Sequence, residues 1–320
     1  MTMKVLGIET SCDETACAVI ENGRRVISNV VFSQAKEHTK YGGIVPELAS
    51  RRQIEEIVAV YEKALFEAKI DIKKIDLIAV TAKPGLIGSL LVGVNFAKAV
   101  SLGVGVPLVE VDHILGHVAS NYISNLKLEP PFICLVASGG HTQIMMVNSY
   151  TDFEIIGQTR DDAAGEAFDK VGRILGLGYP AGAQIDHLAA KGDSRRYKLP
   201  RPKVEGGEFD FSFSGLKTAA INTVHSLKQR GENIDISDMA ACFQTAVVEV
   251  LVDKFIKAAL LLGATKLCLA GGVSANMQLR RALQEECKHH KFELFMPELC
   301  FCGDNAAMIA SEGYYDVVGH

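Results

Sequence analysis

Two stretches of this chain share one pattern, and that sharing limits the folds open to it. "VLGIETSCDETACAVIENG" reads as strand, polar turn, strand, and "PFICLVASGGHTQIMMVNSY" repeats that order. In the first copy residues 4–10 form the opening strand, and "CAVIENG" is its hairpin partner, closed by Asn22-Gly23. Helical segments then alternate with strands. "VPELASRRQIEEIVAVYEKALFEA" (45–68) places Ile54, Ile57, Val58, Tyr61 and Leu65 at helical spacing. The strand "IDLIAVTAKPG", the apolar helix "LIGSLLVGVNFAKAVSLGVG" and the strand "PLVEVDH" follow. Far downstream, "MAACFQTAVVEVLVDKFIKAALLLGATKLCLAGGVSANMQLRRAL" again reads helix, strand, glycine turn, helix. The repeat lies in pattern, not in residue identity. It predicts two similar α/β lobes around a central cleft, 1–128 and 129–320, the second with a helical insertion at about 160–240. Within that insertion "KLPRPKVEGGEFDFSFSG" reads as an ordered loop with a short hairpin.

The chain has 320 residues, long enough for two such lobes. Its net charge of −5 excludes nucleic-acid binding by bulk electrostatics, so a nucleic-acid role needs a local basic patch or a partner. No signal peptide is evident at the N-terminus, and no apolar run reads as long enough to span a bilayer without a glycine or polar break. The expectation is a soluble, cytoplasmic protein with no membrane partner. None of the eight cysteines forms a C-x-x-C pair, and most lie in apolar runs, which reads as buried thiols.

Four features carry chemistry. His113 and His117 are four residues apart in "VDHILGHVAS", a spacing that puts both imidazoles on one helix face. The pair alone fits packed histidines as well as metal ligands. It is not a metalloprotease helix, because Ile114 stands where the general base would be. Asp304 and Asn305 precede an apolar helix, where they read as an N-cap or, for Asp304, as a third ligand. The turns "SGGHT" and "AGGVSAN" each follow an apolar β run and present backbone N–H groups to an anion, while no dinucleotide or P-loop glycine signature occurs. Glu166, Asp169 and Lys170 share one segment, either as solvated charge or beside a bound sugar. Asp186 beyond them suits a ribose.

Together, "GIETSCDETA", "GGIVPELASR", "PGLIGSLLVG", "DHILGHV", "SGGHTQ", "DDAAGEAFDKVGRILGLGYPAG", "FSFSGLKTA", "AGGVSAN" and "DNAAMIA" resemble the TsaD family of tRNA N6-adenosine threonylcarbamoyltransferases, from residue 4 to about 315. The resemblance implies a fold of two actin/Hsp70-like ATPase lobes, each a ribonuclease-H-like unit. It implies transfer of a threonylcarbamoyl group from threonylcarbamoyl-AMP to N6 of adenosine 37 in tRNAs reading ANN codons. It implies one divalent metal, iron with zinc as the alternative, on His113, His117 and Asp304. ATP or threonylcarbamoyl-AMP, with Mg2+, would lie against Ala137, Ser138, Gly139, Gly140, His141, Asp169, Gly182, Asp186 and Asn276. The implied partners are tRNA, an inactive paralogue of the same fold (TsaB type), a small P-loop ATPase (TsaE type) and, upstream, a threonylcarbamoyl-AMP synthase. An apolar helix within 45–68 or 86–102 is the expected docking face. Asp13 or Glu14 in the first polar turn could receive the N6 proton, or could instead serve a structural or partner-contact role. Ala137, Lys83 and Gly303 depart from the family's usual Val, Gly and Thr. Two other readings are a small-molecule kinase or carbamoyltransferase of this fold, and a non-enzymatic nucleotide-binding scaffold.

Overall fold

A computed structural model describes residues 2–319. In chain order the strands are β1 (Lys4–Glu9), β2 (Glu14–Glu21), β3 (Arg25–Ser33), β4 (Leu77–Lys83), β5 (Leu108–Asp112), β6 (Phe132–Ala137), β7 (Thr142–Val147), β8 (Phe153–Gln158), β9 (Lys266–Ala270) and β10 (Glu293–Phe295). The helices are α1 (Ala35–His38), α2 (Pro46–Ala68), α3 (Ile87–Val104), α4 (His113–Ser124), α5 (Ala164–Ile174), α6 (Gly182–Ala189), α7 (Ser214–Gln229), α8 (Ile236–Leu262), α9 (Met277–His290) and α10 (Ala306–Val318).

The first compact unit runs to Pro130 and adds 148–153 and the chain from Met296 onward. Its sheet has the order β3-β2-β1-β4-β5, antiparallel on the hairpin side and parallel from β1 to β5. Strand β1 is apolar on both faces because both are covered. Leu6 and Ile8 pack with Ile57, Val60 and Ala64 of α2 and Ala97 of α3. Val5, with Ala16, Ala18 and Ile20 of β2, packs with Ala306–Ala310 of α10. Glycine permits this second contact: a Cβ on Gly7 would lie 2.1 Å from the Ala306 carbonyl oxygen.

The second unit comprises 131–147 and 154–295. Its sheet order, β10-β9-β6-β7-β8, is the same topology: an antiparallel hairpin, β6–β7, whose first strand is flanked by parallel β9 and then β10. The pattern repeat is therefore a repeat of topology.

Four expectations change. The last segment, from Met296, clusters with the first unit rather than the second, because α10 packs on β1, β2, β4 and α4. Asn22-Gly23 closes β2 to β3, not β1 to β2, with both residues at positive φ (54° and 70°). The segment before α7 forms no hairpin; its only bridge is Thr159 to Phe211. Finally, α3 is by length and composition apolar enough to cross a membrane. Ser89, Gly93 and Ala97 are its buried side, and Ile87, Leu91 and Leu102 are exposed.

Candidate metal centre and substrate residues

Strands β1, β4 and β5 all end at one edge of the first sheet, and the candidate metal ligands gather there. β5 runs directly into α4, whose start is capped by Asp112: its Oδ1 accepts the Ile114 N–H at 2.8 Å. His113 and His117 follow one turn apart, with ring centroids 4.6 Å apart and planes at 74°. Gly116 lies between them, and a Cβ there would reach Ile309 Cδ1 at 2.6 Å, so its absence lets α4 approach α10.

At the start of α10 the two residues of "DN" divide the work. Asn305 is the cap, its Oδ1 accepting the Met308 N–H at 3.0 Å. Asp304 faces the imidazoles, its Oδ1 3.5 Å from His113 Nε2 and 3.3 Å from His117 Nε2. Metal–ligand bonds of about 2.1 Å in a tetrahedral set put ligand atoms roughly 3.4 Å apart, so these spacings fit a bound divalent ion. One donor atom from each of the three side chains lies within 4.8 Å of the others.

His117 makes the stronger argument. It is fully buried, and neither ring nitrogen has a hydrogen-bond partner; the 3.3 Å approach to Asp304 is misaligned for an N–H···O bond. A buried imidazole left this way costs about 1–3 kcal/mol unless a cation accepts its lone pair.

The charges agree. Burial lowers the pKa of His113, but Glu9 and then Asp304 outweigh it and hold it well above the usual histidine value. Burial would raise Asp304, yet the neighbouring His113 and His117 rings pull its carboxyl far below the usual range. Asp13 and Glu14 lie in the same electrostatic neighbourhood. Burial raises both; a hydrogen bond with Glu14 partly offsets this at Asp13, the charge on Asp13 adds to the shift of Glu14, and the charge on Asp304 raises both further. Glu14 Oε1 also accepts the Ser33 hydroxyl at 3.0 Å.

Glu9 is absent from the sequence reading. Its Oε2 lies 3.0 Å from His113 Nδ1, although the two residues are 104 positions apart. The signal available was a carboxylate ending an otherwise apolar strand.

The predicted substrate residues lie mainly in the second unit's turns. The turn 138–141 is closed by the Ser138 N–H donating to the His141 carbonyl at 2.8 Å and by the His141 N–H donating to Ser138 Oγ at 3.1 Å. Gly139 and Gly140 are exposed, with nothing within 4 Å of where a Cβ would stand. Ala137 is buried at the end of β6, where its carbonyl oxygen would sit 2.4 Å from a Cβ on Gly271, whose φ is +86°. Thus the two glycine turns touch.

Asp186 and Asn276 are joined by Gln244, a buried residue the sequence reading also missed. Gln244 Nε2 donates to Asp186 Oδ1 at 2.8 Å, and Asn276 Nδ2 donates to Gln244 Oε1 at 2.7 Å. Asn276 also caps α9 through the Leu279 N–H. Asp169 Oδ1 accepts the Ala181 N–H at 2.8 Å, steering the chain into α6, where Gly182 is the first residue. Lys170 Nζ pairs with Asp162 Oδ1 at 3.0 Å and with Glu166 Oε1 at 2.8 Å. A cavity of about 950 Å³ in this unit lies among α8, α9 and 201–208, and none of the predicted substrate residues lines it.

Comparison with known proteins identifies the family. The family described as tRNA N6-adenosine threonylcarbamoyltransferase (TsaD) matches residues 25–311. A protein of that name from Caldicellulosiruptor saccharolyticus is 53% identical over 316 residues, covering 99% of this chain and 94% of the relative. Another, from Clostridium perfringens, is 50% identical over 314 residues, covering 98% and 93%. Among solved structures, HypF of T. kodakarensis matches with a TM-score of 0.65 at 15% identity, over 99% of this chain and 48% of that one. The ROK hexokinase of Thermus thermophilus matches at 0.52 and 16%, over 99% of both chains. These distant matches show the fold, the actin/Hsp70-like ATPase type. At half identity over nearly its whole length, this chain belongs to the tRNA N6-adenosine threonylcarbamoyltransferase family.

Proposed function

We infer that this transferase moves a threonylcarbamoyl group from threonylcarbamoyl-AMP to N6 of adenosine 37 in ANN-reading tRNAs, with a metal held by His113, His117 and Asp304. The observation that carries the metal is His117, buried with both ring nitrogens unpartnered and facing Asp304. His113 Nε2, His117 Nε2 and Asp304 Oδ1 would hold one divalent cation, iron with zinc as the alternative, and its chemistry when bound is to polarise the carbamoyl oxygen.

In the reaction a C–N bond forms between the carbamoyl carbon and N6, the C–O bond to phosphate breaks, and AMP leaves with the electron pair. N6 loses one proton. Asp13 or Glu14, beside the same cluster, is the acceptor we assign. The exposed glycines of 138–141 leave backbone N–H groups open to the adenylate phosphate. Asp186 and Asn276, fixed by Gln244, suit the ribose and base. ATP with Mg2+ would occupy the same groups.

The chain's net charge of −5 supports a division of labour in which tRNA is held partly by partners, a TsaB-type paralogue and a TsaE-type ATPase, with a synthase supplying the adenylate in the cytoplasm. Exposed Ile54, Val58 and Phe66 on α2 and Ile87 and Leu102 on α3 support docking there. Kinases of this fold need only Mg2+, so a His-His-Asp set favours the transferase over the kinase reading. The scaffold reading leaves that set without a purpose.

The test is a reconstituted assay with the partners, threonine, bicarbonate, ATP, the synthase and unmodified tRNA, read by mass spectrometry of the nucleosides. Threonylcarbamoyl-adenosine from wild type and none from His117→Ala is the expected result. Full activity in a metal-free His117→Ala protein would overturn the role of the metal.

A further inference from the structure

We propose that Glu9 is a positioning residue that fixes the tautomer and orientation of His113 so that Nε2 presents its lone pair to the metal. The inference rests on the metal-centre reading above and goes beyond it to a residue outside the ligand set.

Glu9 ends β1, next to the parallel strand β4, and its side chain is 1% exposed. A carboxylate only accepts hydrogen bonds, and here three donors surround it. Oε1 accepts the Ser11 backbone N–H, and Oε2 accepts the Thr81 hydroxyl and faces His113 Nδ1 at 3.0 Å. With Thr81 and Ser11 holding the carboxylate from two sides, the nitrogen opposite it must carry hydrogen. The Ser11 hydroxyl, 3.2 Å from the same Nδ1, could donate or accept and would not choose a tautomer alone. Glu9 makes the choice, by charge and by the shorter distance.

The consequence falls on the other side of the ring. With hydrogen held on Nδ1, the nitrogen left to give up its proton to a binding cation is Nε2, which faces Asp304 Oδ1 at 3.5 Å. Nε2 and Oδ1 would then be two acceptors sharing that cation. A carboxylate behind a ligating histidine recurs in metal sites, and removing it typically weakens metal binding about 10- to 100-fold. His117 has no such support, because its Nδ1 is unpartnered and only packing holds the ring. The site is thus asymmetric: one histidine is oriented by a carboxylate, the other by its place in α4.

A purely structural ion pair would share these distances, so the test must separate orientation from stability. Zn2+ alone is titrated into metal-stripped wild type, Glu9→Gln and His117→Ala, with thermal unfolding of each protein in chelator. The expected result is zinc binding by wild type, 10- to 100-fold weaker binding by Glu9→Gln, and a chelated Glu9→Gln protein that unfolds near the wild-type temperature. Equal zinc affinity in wild type and Glu9→Gln overturns the role of Glu9 and leaves the metal centre intact. No zinc binding by wild type overturns the metal-centre reading itself. If Glu9→Gln does not fold, 15N spectra of histidines in zinc-loaded wild type decide. Hydrogen on Nδ1 of His113 supports the proposal, and hydrogen on Nε2 refutes it.

Discussion

Gly7→Ala should damage both the fold and the metal site, and its size follows from one contact. Gly7 lies in β1 on the face covered by α10, and a Cβ there would sit 2.1 Å from the Ala306 carbonyl oxygen and 2.9 Å from Ala310 N and Cβ. Ordinary contact begins at 3.4 Å, so the helix must retreat by about 1.3 Å. The obstacle is helix backbone and a buried methyl, neither of which can rotate away. Overpacking of this kind costs about 1–3 kcal/mol, or roughly 2–12 °C at about 2–4 °C per kcal/mol for domains of this size. Asp304 sits two residues before Ala306, so the retreat carries it from the histidines. Its present gaps of 3.3 and 3.5 Å match ligand bonds of about 2.1 Å, and wider gaps do not. The assay is scanning calorimetry of chelated and zinc-loaded protein, with zinc titration, and with Gly103→Ala as control because nothing lies within 4 Å of a Cβ there. A loss of zinc affinity of at least tenfold is expected in Gly7→Ala only. Wild-type melting and zinc affinity in Gly7→Ala would refute the view that the seat of α10 on β1 sets the position of Asp304.

Two further outcomes are expected. His117→Leu removes a buried ring with unpartnered nitrogens, so the chelated variant should match or exceed chelated wild type by up to about 1–3 kcal/mol. It should also lose the zinc-dependent gain, about 4 kcal/mol at a thousandfold excess over Kd; a chelated variant plainly weaker than chelated wild type contradicts the orphaned-imidazole argument. Glu312 on α10 is buried, and burial, then Asp316 and Asp112, raise its pKa well above 4.5. The native state therefore keeps a proton that the unfolded chain releases, and this contribution to stability is lost as pH rises from about 4.5 through the raised value. Glu312→Gln should consequently gain more over wild type at pH 8 than at pH 5 in urea unfolding, and an equal difference at both would exclude the raised carboxyl.

What could be read in the sequence divides along a physical line. Strands β1 and β6 were legible because both their faces are buried and the positions between their ends are apolar, whereas β3 was missed because its burial is irregular and partly exposed. Asn22-Gly23 announced a hairpin turn, but turn chemistry does not say which two strands it joins. The membership of α10 was invisible, since its partners β1 and β2 lie almost 300 residues earlier and only the folded sheet brings them together. The site divides in the same way. His113, His117 and Asp304 could be named as candidates because metal-ligating side chains have recognisable types, one pair at helical spacing and one beside a helix cap. Glu9 and Gln244 could not, because their roles exist only through contacts 104, 58 and 32 residues apart. Yet neither was silent. A carboxylate ending a strand buried on both faces, or a glutamine inside an apolar helix, cannot be solvated where it stands, so the fold must supply its partners. Such residues are the places to look for what orients a site, once the residues that form it have been found.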